Sequence, residues 1–274
     1  MIRHFERSAP SYADSYRPEA ASSTSYFFKA RQQIVLSRLG DLKGGKLLDI
    51  ACGPGVMAEP CTNMGFLYVG IDISNAMISE CRKKFHDLGS ARFCVGKMQR
   101  LPFVDDYFDI LLCLGGLEYV PAAEEVAAKL EMLRVLKPGG LLIISHLNRL
   151  SPYWLWSRLV YHGFRRMKSR ARALLSRGMQ DHRTEDVPLR EFTERSSRRF
   201  MDSRRHTVIE TLYYSFNVLL PPFDDRFPRL AVRTCEKLEG LRNTTLRWLA
   251  MAFILVVRKS DPEMARRHGG VRNG

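Results

Sequence analysis

Between residues 45 and 145, short apolar runs alternate with stretches whose apolar residues recur at helical spacing. This rhythm restricts the chain to very few architectures. Residues 46–50, 66–71, 91–95, 108–114 and 141–145 read as strands, and 56–64, 75–88 and 122–136 read as helices. The last helix closes at Lys137-Pro138-Gly139-Gly140, a sequence that cannot continue it. Strands apolar on both faces and separated by helices require a parallel sheet covered on both sides. The predicted fold class is α/β: a doubly wound, mostly parallel, seven-stranded Rossmann-like sheet. Its last two strands are expected at 207–217 and 250–257, where Val, Ile, Thr, Tyr and aliphatic residues concentrate.

The flanks divide the rest. Residues 1–44 read as an N-terminal helical cover, with a helix at 30–42, and 45–150 as the ligand-binding domain. Residues 151–205 form a helical, basic insertion, 206–258 complete the sheet, and 259–274 are a charged, disordered tail. The net charge of +14 is concentrated: residues 1–131 carry −1, 132–205 carry +11 and 206–274 carry +4. No acid occurs from Met132 to Gln180, which points to an anionic partner or to a solvated basic face. The longest apolar run, 248–257, is about half of what a bilayer-spanning helix needs. The first seven residues lack the apolar core of a secretory leader, and the six cysteines show no Cys-x-x-Cys spacing. The expectation is a cytoplasmic protein with neither a metal site nor a disulfide framework.

The strongest local motif is Leu47-Leu48-Asp49-Ile50-Ala51-Cys52-Gly53-Pro54-Gly55, a strand running into a glycine-rich turn. Such a turn lets main chain approach a ligand at the carboxyl end of a strand. Asp72 closes the second strand 17 residues after Gly55, where a carboxylate can accept both hydroxyls of a ribose. Gly53-x-Gly55-x-x-Ala58 also fits the loose dinucleotide fingerprint, so this loop alone leaves a dehydrogenase open.

Further features separate the two readings. Leu101-Pro102-Phe103-Val104-Asp105-Asp106-Tyr107-Phe108-Asp109 leads into the fourth strand, and Val135-Leu136-Lys137-Pro138-Gly139-Gly140 precedes the fifth. With Asp49 four residues before Gly53, these features resemble, in order over about residues 45–145, the class I S-adenosylmethionine-dependent methyltransferases of small-molecule type. The resemblance implies S-adenosyl-L-methionine as cofactor. Gly53 and Gly55 then line its methionine moiety, beside Ala51, while Asp49 supports the amino end. Asp72 holds the ribose, Ile73 packs on adenine, and Leu114 lies near the sulfonium. Two positions depart from the family. Ala51 stands where it usually has Gly, and Lys97 where it often has an Asp that accepts from the adenine amine. Lysine only donates, which passes that role to the Met98 main chain.

Methyl transfer to a hydroxyl benefits from a general base. His146, after the fifth strand, is the candidate catalytic residue; Glu118, after the fourth, reads as structural. His162, His182 and His206 lie in the variable region, and small buried Cys52 and Cys113 are expected beside the cofactor. Tyr16, Phe28 and Arg31 are placed to close the pocket from the N-terminal side, or simply to pack a helix.

Within the insertion, Trp156, Val160, Phe164, Met167, Ala171 and Leu174 form a helical apolar stripe flanked by arginines. Two roles fit residues 153–178: a lid over an apolar substrate, or a lid that also contacts an anionic membrane surface from the cytoplasmic side. No interleaved stacking aromatics favour nucleic acid. The expected function is methylation, by O-methyl transfer first, of a small hydrophobic or anionic acceptor such as a lipid, quinone, lipid-linked sugar or secondary metabolite. An RNA or protein methyltransferase, or a descendant that no longer methylates, are the alternatives.

Overall fold

A computed structural model describes residues 5–6, 23–42, 44–161, 189–203 and 205–261. Helix α1 (Ser23–Leu39) leads into β1 (Gly45–Ile50), α2 (Ala58–Asn63), β2 (Phe66–Asp72), α3 (Asn75–Lys84) and β3 (Ala91–Val95). Next come β4 (Phe108–Leu114), α4 (Glu125–Val135), β5 (Leu136–Leu147) and the short α5 (Pro152–Trp156), which runs into a π-helical turn at Ser157–Tyr161. Helix α6 (Glu194–Met201) precedes β6 (His206–Tyr214), α7 (Phe223–Arg226), α8 (Pro228–Leu238) and β7 (Ala252–Lys259).

The seven strands form one sheet in the order β3-β2-β1-β4-β5-β7-β6. Strands β1 to β5 are parallel, while β7 runs antiparallel to both β5 and β6. Alternate residues of β1 and β4 supply the two cores: Leu48, Ile50, Leu111 and Cys113 on one face, Leu47, Ile110 and Leu112 on the other. Burial on both faces explains the unbroken apolar runs of these strands. Gly70 in β2 answers a packing need, since a Cβ there would lie 2.8 Å from Phe93 Cδ1 and 3.0 Å from Cys52 Sγ.

Several boundaries differ from the sequence reading. Helix α1 begins at Ser23 rather than at residue 30. Strand β5 begins at Leu136, with Lys137 to Gly140 as an excursion inside the β4–β5 ladder, whose register jumps from Phe108↔Leu136 to Ile110↔Leu141. The stretch between β6 and β7 carries α7, α8 and two 3-10 turns (Glu239–Asn243 and Thr245–Leu249), where only strands had been read. Helix α7 is a single turn, while α8 spans eleven residues and opens with Pro228 at its first position, which favours a helix start. Most of the basic stripe expected over 153–178, the tail beyond 261, and Tyr16, His162 and His182 lie outside the described residues.

The carboxyl end of β5 is fixed by Asn148. Its side-chain amide donates to the Trp248 and Ala250 carbonyls, each at 2.9 Å, and its Oδ1 accepts from Leu150 N at 3.1 Å. Beside it, Trp154 Nε1 donates to Met251 O at 2.8 Å. This knot ties β5, α5 and the entry to β7 together. Asn148→Ala leaves the buried Ala250 carbonyl and the part-buried Trp248 carbonyl without this donor, and is expected to destabilise the fold by roughly 1–3 kcal/mol. A denaturant midpoint equal to that of the wild type would contradict this.

Candidate active site

Strand β1 lies between β2 and β4, and the chain leaves β1 and β4 toward opposite sides of the sheet order. At such a switch point a crevice opens beyond the carboxyl ends of the strands. Two adjoining cavities fill it. The first, about 1050 Å³ with its opening to solvent included, lies against the glycine-rich turn after β1, the end of β2 and the start of the loop after β3. The second, about 750 Å³, lies against the ends of β4 and β5. Phe28, Arg31, Leu114, Gly115 and Tyr119 line both.

The turn after β1 is left-handed at three positions: Ala51 at φ 59°, Gly53 at 53° and Gly55 at 68°. An alanine in that region carries a steric cost that glycine avoids, which is the physical content of the Ala51 departure. Its methyl is accommodated because Gly116 faces it; a Cβ on Gly116 would come within 2.7 Å of Ala51 Cβ. Asp49, Ala51, Gly53, Asp72, Ile73, Met98 and Leu114 all line the first cavity, as does Cys52. Gly55 does not. Its missing side chain instead admits Phe85 and Cys81 behind the turn, at 2.9 and 3.0 Å from where a Cβ would stand.

Asp72 Oδ2 accepts from Gly53 N and Oδ1 from Ser74 N, both at 2.9 Å. Burial raises its carboxyl above the ordinary range, against the pull of those main-chain donors. Asp49 is fully enclosed, and its Oδ2 accepts from Tyr68 Oη at 2.6 Å. Burial pushes its carboxyl up to about 7, with the Tyr68 hydroxyl and Arg31 opposing the shift. A cationic ligand group against Asp49 restores the charge that burial disfavours. Lys97 is exposed and lines neither cavity, whereas Met98 and Gln99 line the first. Gln99 Nε2 donates to Glu124 Oε2 at 2.7 Å, which fixes the amide. The sequence reading missed Gln99, two residues before Leu101, and also Phe5, whose ring meets that of Tyr119 at 5.0 Å.

The second cavity is walled largely by apolar and aromatic groups, among them Phe27, Trp154, Tyr214 and Met251. His146 and Glu118 line it, 1% and 2% exposed. His146 Nδ1 lies 3.9 Å from Glu118 Oε1, and its ring is flanked by Phe192 at 4.3 Å and Phe253 at 5.4 Å. Burial, with Lys129 and Arg190 nearby, pushes the imidazole down to about 3, so it is neutral at physiological pH and a weaker base than a free histidine. Burial pushes the Glu118 carboxyl up to about 7. Phe28 and Arg31, carried by α1, close both cavities, with the Arg31 guanidinium 5.1 Å from the Phe28 ring. Cys113 lies in the core, and His206 pairs with Ser203 at the start of β6; neither lines either cavity.

Residues 48–144 match the family model described as "Methyltransferase domain". These residues form a methyltransferase domain. The chain is similar to demethylmenaquinone methyltransferase of Beutenbergia cavernae, 35% identical over 123 residues that span 45% of this chain and 48% of the relative. It is also similar to ubiquinone biosynthesis O-methyltransferase of Thiobacillus denitrificans, 33% identical over 115 residues, 39% of this chain and 47% of the relative. The chain thus spans about half the length of the curated relatives it matches. Magnesium protoporphyrin IX methyltransferase from Synechocystis, solved with bound SAH, shares the fold at a TM-score of 0.60 and 17% identity, covering 94% of this chain and 98% of that one. The methyltransferase domain accounts for the first cavity; β6, β7, α1 and the second cavity lie largely outside the matched residues.

The Asp49–Tyr68 pair gives a test with a definite sign. The folded-state pKa of Asp49, about 7, lies above its ordinary value of about 3.9. The linked stability is therefore fully present below that ordinary value and is lost as pH rises through 7. Tyr68→Phe removes a group that lowers the folded pKa, so it enlarges the loss. The variant is expected to be less stable by roughly 1–3 kcal/mol, with the larger deficit at pH 8 than at pH 5. Equal deficits from denaturation at both pH values would contradict the pairing.

Proposed function

We propose that the chain transfers a methyl group from S-adenosyl-L-methionine to a small, largely apolar acceptor, with oxygen as the receiving atom. The observation that carries this reading is the pair of adjoining cavities: one framed by Asp49, Asp72 and the glycine-rich turn, the other apolar and set against the same Leu114–Gly115 wall. The donor supplies an electrophilic methyl on a sulfonium. The residues of this chain bind it, orient it and exclude water. Asp72 takes the ribose hydroxyls; Asp49 faces the amino group, with Gly53 and Ala51 along the methionine chain. Ile73 and Met98 sandwich the adenine, and the Gln99 amide oxygen accepts from its amine in place of the missing aspartate. Leu114 borders the methyl, and His146 stands against the acceptor as the catalytic-site residue.

The named activities of the relatives, on quinone precursors, support an acceptor with a flat apolar ring. The apolar walls of the second cavity support it as well, and they speak against a nucleic acid substrate. A peripheral contact with an anionic membrane surface belongs to the same proposal. Within the described part of the insertion, Leu155, Leu159 and Val160 are exposed, as are Phe223 and Phe227 beyond it. Trp156 Nε1 donates to Pro221 O at 2.9 Å and ties these two segments together. No helix of the described residues is long and apolar enough to cross a membrane.

Isothermal titration with S-adenosylmethionine tests the cofactor assignment. The wild type is expected to bind, and Asp72→Ala to lose roughly 1–3 kcal/mol, about five- to 150-fold in affinity. A folded variant with unchanged affinity would remove Asp72 from the site. Sedimentation with phosphatidylglycerol vesicles at low salt tests the membrane contact. Binding is expected to weaken as salt rises, to be poor with phosphatidylcholine, and to fall in Leu159→Glu. Absence of the wild type from the vesicle pellet at low salt would end that part of the reading.

A further inference from the structure

Two residues that line the second cavity carry three buried side-chain atoms with no hydrogen-bond partner among the described residues: Glu118 Oε2, His146 Nδ1 and His146 Nε2. Folded proteins rarely leave such atoms unpaired, because each costs roughly 1–3 kcal/mol in lost solvation. Three on two neighbouring side chains of one cavity's lining are what a ligand group reaching that lining would satisfy. We propose that Glu118 and His146 form a hydroxyl-binding end of the acceptor cavity, and that Glu118 Oε2 accepts the proton of a phenol-like acceptor. This rests on the methyltransferase reading above and assigns to Glu118 the role for which His146 was the candidate on sequence.

The geometry selects the ligand group. Glu118 follows β4 by four residues and sits in the 3-10 turn Leu117–Tyr119, just past the wall shared by the two cavities. Leu147 N donates to its Oε1 at 3.2 Å, so that oxygen is held and Oε2 is the one left for a ligand. A neutral imidazole offers one N–H and one lone pair. A hydroxyl complements this set, since it donates to the carboxylate and accepts from the imidazole. A carbonyl cannot donate, a protonated amine cannot accept, and a carboxylate or phosphate meets the Glu118 charge.

Basicity also favours Glu118. A proton acceptor is most effective when its pKa lies near the working pH, and the Glu118 carboxyl lies at about 7 against about 3 for His146. Charged and titratable groups face Glu118 from each side: Arg31 on α1, Arg190 before α6, Cys113 on β4 and His146 on β5. The two arginines lower its pKa and burial raises it. In the transfer, the acceptor O–H bond opens and its proton passes to Glu118 Oε2. The oxygen lone pair forms the O–CH3 bond, while the S–CH3 pair stays on sulfur as a neutral thioether. The protonated carboxyl then returns its proton to solvent.

The test uses the whole chain, 1-naphthol as probe and its methyl ether, 1-methoxynaphthalene, with and without S-adenosylhomocysteine. Calorimetry at pH 8 and pH 5.5 brackets the Glu118 carboxyl while naphthol, like a simple phenol with a pKa of about 10, and His146 both stay neutral. Wild type is expected to bind 1-naphthol about tenfold tighter at pH 8 than at pH 5.5, because a hydroxyl donates best to an ionised carboxylate. The ether is expected to bind about tenfold more weakly than naphthol at pH 8. Glu118→Gln is expected to reduce both differences to within about twofold while leaving S-adenosylhomocysteine affinity unchanged. Equal binding of naphthol and ether, absence of the pH effect, no naphthol binding at all, or a Glu118→Gln variant that keeps both differences would overturn the proposal. The wild-type comparisons need no variant, so they stand even if Glu118→Gln fails to fold. Absence of S-adenosylhomocysteine binding would instead strike the cofactor reading, and the nucleoside-free naphthol arms would still decide the hydroxyl site.

Discussion

The site depends on where β1 meets its two parallel neighbours. Strand β1 pairs with β2 along its whole length and with β4 from Leu47 to Ile50, and the connections from β1 and β4 leave toward opposite sides. The crevice this leaves has main-chain ends for walls, and only a turn that adopts left-handed backbone can curl beneath it. Asp49, Asp72, Leu114 and the Glu118 turn all reach the crevice because each lies at or just past the end of one of these strands. Parallel pairing thus does two things at once: it buries the apolar runs and gathers polar residues from distant parts of the chain at one rim.

At that rim the electrostatics share a cause. Asp49, Asp72 and Glu118 are raised, and His146 lowered, first by burial and only then by their neighbours. Arg31 lies between the two cavities and lowers both Asp49 and Glu118. It is itself 6% exposed and held between aromatic rings of its own helix. Desolvated groups of this kind are poised to respond to a ligand of the right polarity, since the ligand restores what burial removed. The first cavity suits a cationic amino group and ribose hydroxyls, and the second suits one hydroxyl on an apolar frame.

The antiparallel β7 closes the second cavity. It pairs His146 with Phe253 and brings Met251 to the cavity, while Asn148 holds the entry to β7 against the end of β5. Helix α1 covers both cavities from the other side through Phe28 and Arg31. The second cavity is therefore assembled mainly from segments outside the matched methyltransferase domain, and sites grafted on one fold differ in what they act on.

Much of this molecule was legible in its sequence. The doubly wound sheet followed from strands apolar on both faces, and the first cavity from a strand, a glycine-rich turn and Asp72, because parallel pairing needs continuous apolar runs and a cofactor loop needs close main-chain approach. Seven of the eight predicted cofactor positions line that cavity; Gly55 packs behind it, and spacing alone cannot tell a glycine that meets ligand from one that admits Phe85. The helices between β6 and β7 escaped although α8 is eleven residues long and amphipathic, because that stretch was read only for the strands at its two ends. Glu118 and His146 were visible as residue types, yet their roles were not. Only tertiary burial decides which carboxylate keeps an unpaired oxygen and which imidazole stays neutral, because desolvation depends on surrounding atoms that come from α1, β5, β7 and the segment around Phe192, all far apart along the chain.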